Sequence, residues 1–274
     1  MTVAMKNGSV FVRSWAPSAE LVRQADLDEI NARFEGAHPS DVLQWGFASI
    51  EGLVIGTGFQ VGGLVNIHLA KQFLDRVPVL FLQTGFHFPE TLEFRDQLVR
   101  DWDLELIETT PTFGPEMQAE VVGPELYKTD PDLCCHLNKV MPLEAALSDR
   151  GGWVTGVRRD QSPVRGKTQL FERQELTPEI VAWKLNPLAH WTRAQVDAYA
   201  DEHDIPRHPL YAKGYVSIGC APCTKPVATG EDERAGRWEG FGKTECGIHG
   251  VGGLEGSGHD EEIHTYSHGR GSSR

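Results

Sequence analysis

The chain has 274 residues, 26 Lys and Arg against 39 Asp and Glu, and a formal net charge of −13. A surface that acidic disfavours duplex nucleic acid, whose nonspecific binding depends on counterion release to Lys and Arg, and leaves room only for a local basic pocket. Hydrophobic residues at 40% and charged ones at 24% fit a globule with a sizeable core, and no run approaches the roughly 18 apolar residues of a membrane span.

The first fifteen residues carry no long apolar stretch and no small-residue cleavage site, so a cytoplasmic location is expected. Leu27, Ile30 and Phe34 share one face of an N-terminal helix. Leu53–Gly56 is a short β-rich run, followed by Leu64, Ile67, Ala70, Phe73 and Leu74 at helical spacing. Val79–Leu82 gives a second strand, and a helix starts near Pro89 with Leu92, Phe94 and Leu98. Further strands are expected at Leu104–Ile107, Trp153–Val157 and Val181–Lys184, and Thr192 caps a helix whose apolar face is Val196, Tyr199 and Ala200. Strands separated by helix-length segments predict βαβ units: an α/β fold with a mostly parallel sheet flanked by helices.

Composition divides the chain near residue 225. Residues 226–274 hold 12 of the 29 glycines and few large apolar side chains, so they are expected as a mobile C-terminal arm following a domain over 1–225. Three of its four histidines, His259, His264 and His268, read as a solvated Gly/His-rich tail. The exception is the island Phe241–His249, which sets Cys246 on that arm.

The other four cysteines come as two pairs, Cys134-Cys135 and Cys220-Ala221-Pro222-Cys223. A C-x-x-C turn and a second, distant pair can complete four-sulfur ligation of an iron–sulfur cluster or a zinc ion. Adjacent cysteines suit two irons of a cluster better than one zinc, and free or redox-active thiols are the remaining alternative. Lys139 lies close enough in sequence to offset thiolate charge. Gly156-Val157-Arg158-Arg159, with Arg165 and Lys167, makes a basic loop at a strand end, where arginine forks suit phosphate or sulfate oxygens and a solvated loop is the alternative. Gly56–Gly63 is a glycine-rich strand-to-helix turn whose N–H groups can hold a phosphate, and Thr84-Gly85 offers another close backbone approach. Arg234, Arg237, Lys243 and His249 surround Cys246 in sequence, a pattern that lowers a thiol's pKa and attracts anions, or else a mixed-charge linker.

Together these stretches resemble the adenylyl-sulfate reductase family, the thioredoxin-dependent sulfonucleotide reductases of sulfate assimilation and cysteine biosynthesis. The resemblance rests on TGFQVGG with IHLA, QTGFHFPET, CCHLNKVMPL, GVRRDQSPVR, HPLYAKGYVSIGCAPCT, ERAGRW and KTECGIH, in family order from about residue 53 to 249. It implies an adenine-nucleotide α-hydrolase-like fold, with Cys134, Cys135, Cys220 and Cys223 as ligands of a [4Fe-4S] cluster and Cys246 as nucleophile. It further implies that Lys139, Arg158, Arg234, Arg237 and His249 meet the phosphosulfate end of the substrate, with the nucleotide beside Thr57, Gly58, Phe59 and Gly85; Arg159 of the basic loop is expected as a further substrate contact. The implied partners are adenosine 5′-phosphosulfate and reduced thioredoxin, with no nucleic acid and no membrane; a homo-oligomer is compatible with the sequence. Relatives acting on the 3′-phosphorylated substrate generally lack both cysteine pairs. The chain departs from the family in three places: no acidic pair in the glycine turn, His136 and Asn138 where basic residues are common, and residues continuing past His249. The alternatives are a reductase of the 3′-phosphorylated substrate or of both, an iron–sulfur tRNA thiolase of the same superfold, and a noncatalytic zinc-stabilised module.

Overall fold

The computed structural model describes residues 19–249. The tail histidines His259, His264 and His268 lie outside the described residues. Six strands form one sheet: β1 (Val54–Gly56), β2 (Pro78–Leu82), β3 (Glu105–Thr109), β4 (Gly152–Val154), β5 (Phe171–Thr177) and β6 (Ile180–Leu185), in the order β3-β2-β1-β4-β6-β5. All neighbours pair in parallel except β5, which returns antiparallel to β6 with an irregularity between Glu175 and Thr177. β5 escapes the sequence reading because FERQELT is an edge strand with one buried end and a polar outer face.

The central strands are buried on both faces, as parallel strands covered by helices must be. Alternation along each strand sorts their side chains. Ile55, Val79, Val154 and Trp183 join the larger core, while Val54, Leu80, Trp153 and Ala182 join a smaller one built on Leu143, Ala146 and Leu147. The larger core is covered by α1 (Gln24–Phe34), α2 (Pro39–Ser49), α3 (Val61–Ala70), α4 (Pro89–Asp101) and α9 (Arg193–Glu202). α3 is almost wholly apolar and buried, so it runs through the interior rather than along the surface. Asn31 ties α1 to β5, donating to the Phe171 carbonyl at 2.8 Å and accepting the Phe171 N–H at 2.9 Å.

The strand at residue 153 stops at Val154, three residues earlier than expected, because Gly156 and Val157 turn away beside α3. Between residues 115 and 147 the chain is helical: α5 (Pro115–Val121), α6 (Leu126–Thr129), α7 (Pro131–Cys135), a π-helical turn at His136–Val140, and α8 (Met141–Leu147). Among the described residues no helix is long and apolar enough to cross a membrane.

Candidate active site

The strand order reverses at β1, which lies between β2 and β4, so the carboxyl ends of these strands splay apart and leave a crevice. A cavity of about 230 Å³ occupies it. Its walls are Gly56 at the end of β1 with Thr57 and Gly58 after it, Leu82 at the end of β2 with Thr84 beyond, and Thr155 to Arg158 after β4. The glycines there are steric requirements: a Cβ on Gly63 would lie 1.9 Å from Thr57 Oγ1, and one on Gly156 would lie 3.1 Å from the Gly63 nitrogen. Thr57 Oγ1 accepts the Phe59 N–H at 2.9 Å, which closes the turn. Gln60 pins the turn to the segment before the C-x-x-C pair, donating to the Ile218 carbonyl and accepting its N–H, both at 2.8 Å.

Basic groups ring the far side of the cavity, among them Lys139, Arg158, Arg165, Arg193, Arg234 and Arg237. Arg158 is buried and paired with Asp160 at 2.8 Å and with Glu233 at 2.7 Å. Arg237 lies over the Trp238 ring, 4.5 Å from its centroid, with Lys243 on the same ring at 5.6 Å. Burial, with Arg165 close by, lowers the Arg234 guanidinium to about 10. His249 also lines the cavity, and burial among Arg165, Lys184 and Arg234 holds its imidazole well below the usual histidine range. The buried Arg234 Nε, Arg237 Nε and His249 Nδ1 have no protein partner. These three unpartnered atoms belong to residues that line the cavity, where buried polar groups are ordinarily satisfied.

Cys246 lies in the same wall, buried and packed on Cys135 and Trp238. A hydrogen bond from Cys135 lowers the Cys246 thiol well below its usual range against the effect of burial, and Lys139 and Arg237 act in the same direction. The bond and burial together push Cys135 upward.

Cys134, Cys135, Cys220 and Cys223 line a second, small chamber closed by Phe86, Tyr127 and Trp238. Burial, with Cys220 and Cys223 adjacent, raises the Cys134 thiol to about 11. Asn138 Nδ2 reaches Cys134 Sγ at 3.6 Å, and Thr84 Oγ1 lies 3.5 Å from Cys220 Sγ. Among the described residues no three His, Cys, Asp or Glu side chains converge as ligands of a single metal ion. Lys139, Cys220 and Trp238 border both chambers, so the π-helical turn carrying Lys139 is the partition between them.

Of the residues singled out in the sequence, Thr57, Gly58, Lys139, Arg158, Arg234, Arg237, Cys246 and His249 meet at the larger cavity. Of the expected substrate contacts, three do not line it. Phe59 turns its ring into the core against Phe81, with a left-handed backbone at φ 58°. Gly85 is a left-handed turn whose missing Cβ makes room for Pro115. Arg159 points the other way and pairs with Glu35 at 2.6 Å. Gln60, Arg193, Tyr211, Glu233 and Trp238 belong to the site without having been assigned to it from sequence. Glu233 and Trp238 sit in the ERAGRW stretch, from which only Arg234 and Arg237 were singled out in the sequence.

The expected boundary at residue 225 is bridged by backbone bonds. The Lys225 N–H donates to the Gly236 carbonyl at 2.8 Å, and the Trp238 N–H to the Cys223 carbonyl at 3.2 Å. Residues 226–249 therefore pack against the domain that precedes them; the arm beyond 249 lies outside the described residues.

Residues 53–226 match the phosphoadenosine phosphosulfate reductase domain. The adenosine 5′-phosphosulfate reductase of Halalkalibacterium halodurans is 40% identical over 228 residues, spanning 82% of this chain and 97% of that protein. The enzyme of the same name from Deinococcus radiodurans is 43% identical over 77% of this chain and 81% of its own. Among solved structures, the phosphoadenylyl-sulfate (PAPS) reductase of Candida auris, in a phosphate complex, aligns with a TM-score of 0.64 at 28% identity, covering 75% of this chain and 98% of that one. Candida glabrata FMN adenylyltransferase, with FAD and pyrophosphate, aligns at 0.51 and 16% identity over 76% of this chain and 70% of its own, a likeness of fold alone.

Proposed function

The chain belongs to the phosphoadenosine phosphosulfate reductase family, on an adenine-nucleotide α-hydrolase-like sheet, and from that premise we propose that it reduces adenosine 5′-phosphosulfate to sulfite and AMP in sulfate assimilation. The observation that carries this reading is Cys246, lining the cavity at the carboxyl ends of β1 and β4 together with Lys139, Arg234, Arg237 and His249. Relatives at 40–43% identity bear the name of the enzyme acting on the 5′-phosphosulfate, which supports that substrate over its 3′-phosphorylated form.

The Cys246 thiolate attacks the sulfur of the substrate. An S–S bond forms, the S–O bond to the phosphate breaks, AMP leaves with that electron pair, and the enzyme carries a cysteine S-sulfonate. A thiolate of reduced thioredoxin then attacks Cys246 Sγ, sulfite departs with the bonding pair, and the second thioredoxin thiol resolves the mixed disulfide. The two electrons are those of the dithiol. Lys139, Arg158, Arg234 and Arg237 balance charge as it builds on the leaving phosphate. His249, neutral and with a free Nδ1, is placed in this scheme as a hydrogen-bond partner of the same anionic end.

Cys134, Cys135, Cys220 and Cys223 are assigned to a [4Fe-4S] cluster. The support is their donor chemistry, four cysteine sulfurs around one chamber. When bound, the cluster supplies a fixed charge beside Lys139 and cross-links the two cysteine pairs. We place the enzyme in the cytoplasm.

Sulfite release is to be measured anaerobically with reduced thioredoxin, offering the 5′-phosphosulfate and its 3′-phosphorylated form separately. A strong preference for the first is expected; equal rates would overturn the substrate assignment. Cys246→Ser should bind the nucleotide and form no S-sulfonate, and an adduct persisting in that variant would remove Cys246 from the mechanism.

A further inference from the structure

Arg165 and Glu245 stand 80 residues apart and meet beside the cavity. Arg165 Nε donates to Glu245 Oε1 and its Nη2 to Oε2, both at 2.7 Å, a two-point fork on the carboxylate. The pair is nearly shielded from water, with side-chain exposures of 8% and 14%. Gln161 accepts from Arg165 behind the fork, and Arg234 adds a bond to Glu245 Oε2 at 3.2 Å and one to the Thr244 carbonyl at 2.9 Å. Residues 241–249 contain one short turn, Gly247–His249, so side-chain bonds carry much of the positioning of this segment. Glu245 immediately precedes Cys246, and wherever the carboxylate is held the thiol is held too.

We propose that Arg165 is a positioning residue whose grip on Glu245 seats Cys246 in the cavity, and that loosening this grip frees the thiol to meet an external protein dithiol. The inference rests on Cys246 being the nucleophile. That nucleophile has two partners, a nucleotide enclosed in the cavity and a protein that cannot enter it, so the segment needs a closed and an open arrangement. A buried ion pair suits that need, because it is strong when its geometry is complete and is replaced by hydration of both charges when it opens. Lysine would supply the charge but not the planar fork.

The test uses the full-length, cluster-loaded chain without nucleotide, with iodoacetamide as probe and the Cys246 peptide followed by mass spectrometry. Glu245→Gln and Arg165→Lys are each expected to raise the Cys246 alkylation rate by at least about tenfold. The double variant should do no more than either single one, since both remove the same interaction. In turnover, Glu245→Gln should lower kcat per folded molecule while KM for the sulfonucleotide moves by less than about twofold, the folded fraction being taken from each variant's melt so that lost active protein is not read as lost kcat. Thermal midpoints report folding; should Arg165→Lys fail to fold, Glu245→Gln decides alone. An unchanged alkylation rate in Glu245→Gln, or additive effects in the double variant, overturns the proposal. Sulfite production by Cys246→Ser would instead refute the nucleophile, while the alkylation rates still report whether the pair seats that thiol.

Discussion

Both ring nitrogens of His208 are engaged inside the fold: Nδ1 accepts the Leu210 N–H at 3.2 Å, and Nε2 lies 3.0 Å from Thr91 Oγ1. The first contact assigns the proton to Nε2, so protonating Nδ1 costs the Leu210 bond. Burial pushes the imidazole from 6.5 to about 4, and burial does the same to His87, which lines the cavity beside Phe81. Between pH 6.5 and 4 the unfolded chain therefore binds protons that the folded chain does not. Stability is complete above that window, falls as pH drops through it, and levels off below it. A shift of that size corresponds to at most about 3 kcal/mol for each histidine across the window. Urea midpoints of the native chain and of His208→Ala test this, the variant being expected to show the shallower pH slope. At this scale the sequence was legible for placement: Cys246, Arg234, Arg237 and His249 line the cavity and the other four cysteines the second chamber. It misled where identity does not reveal direction. Arg159 is as basic as Arg158, yet successive side chains leave the loop on different sides and only Arg158 faces the cavity.

Close approach between neighbours governs the elements around the site. The helix after β1 begins so near the turn before it that Gly63 has Thr57 Oγ1 where a side chain would start. Gly63→Ala forces either the turn or α3 to shift, with an expected cost of about 1–3 kcal/mol in folding and weaker nucleotide binding. A thermal melt with and without AMP would register both, and an unaltered midpoint would show that the turn is free to yield. Prolines opened several helices that periodicity left unassigned. Pro39, Pro115, Pro131 and Pro142 each stand in a first turn, where a missing N–H costs nothing. α2 also carried Val42, Leu43, Gly46 and Phe47 at helical spacing, a signal present in the chain. The helices between residues 115 and 147 are short, from four to seven residues, too short for a period of 3.6 to declare itself.

Over the whole molecule, the cysteine pairs bring distant parts of the chain to one chamber. Cys134-Cys135 ends α7, Cys220 and Cys223 flank a turn, and Cys246 comes in from the last described segment against Cys135 and Trp238. On our assignment the cluster contributes to folding, since a group bound only by the folded chain shifts the equilibrium toward it. Anaerobic protein should contain about four iron and four sulfide per chain. Cys223→Ser should lose most of both and melt at a lower temperature than the native chain. Zinc in place of iron, in a chain purified without exposure to air, would overturn the assignment. The acidic surface and the basic cavity coexist because many of the arginines facing the cavity are paired with carboxylates: Arg158 with Asp160 and Glu233, Arg165 with Glu245, and Arg193 with Asp197.

Two properties were written in order along the chain. The parallel α/β architecture follows from apolar runs and helical spacing, because local periodicity records which faces each element must bury. The chemistry of the site follows from residue types that few other roles explain, above all five cysteines in two pairs and a singleton. What tertiary structure alone decided is which side chains share a space. Strand order opens the crevice at β1 and β4, the π-helical turn sets Lys139 between two chambers, and Glu245 finds Arg165 from 80 residues away. Such meetings depend on three-dimensional closure over long stretches of chain. A sequence carries no local mark of them, because an arginine bound to a buried carboxylate and one bound to water are the same letter.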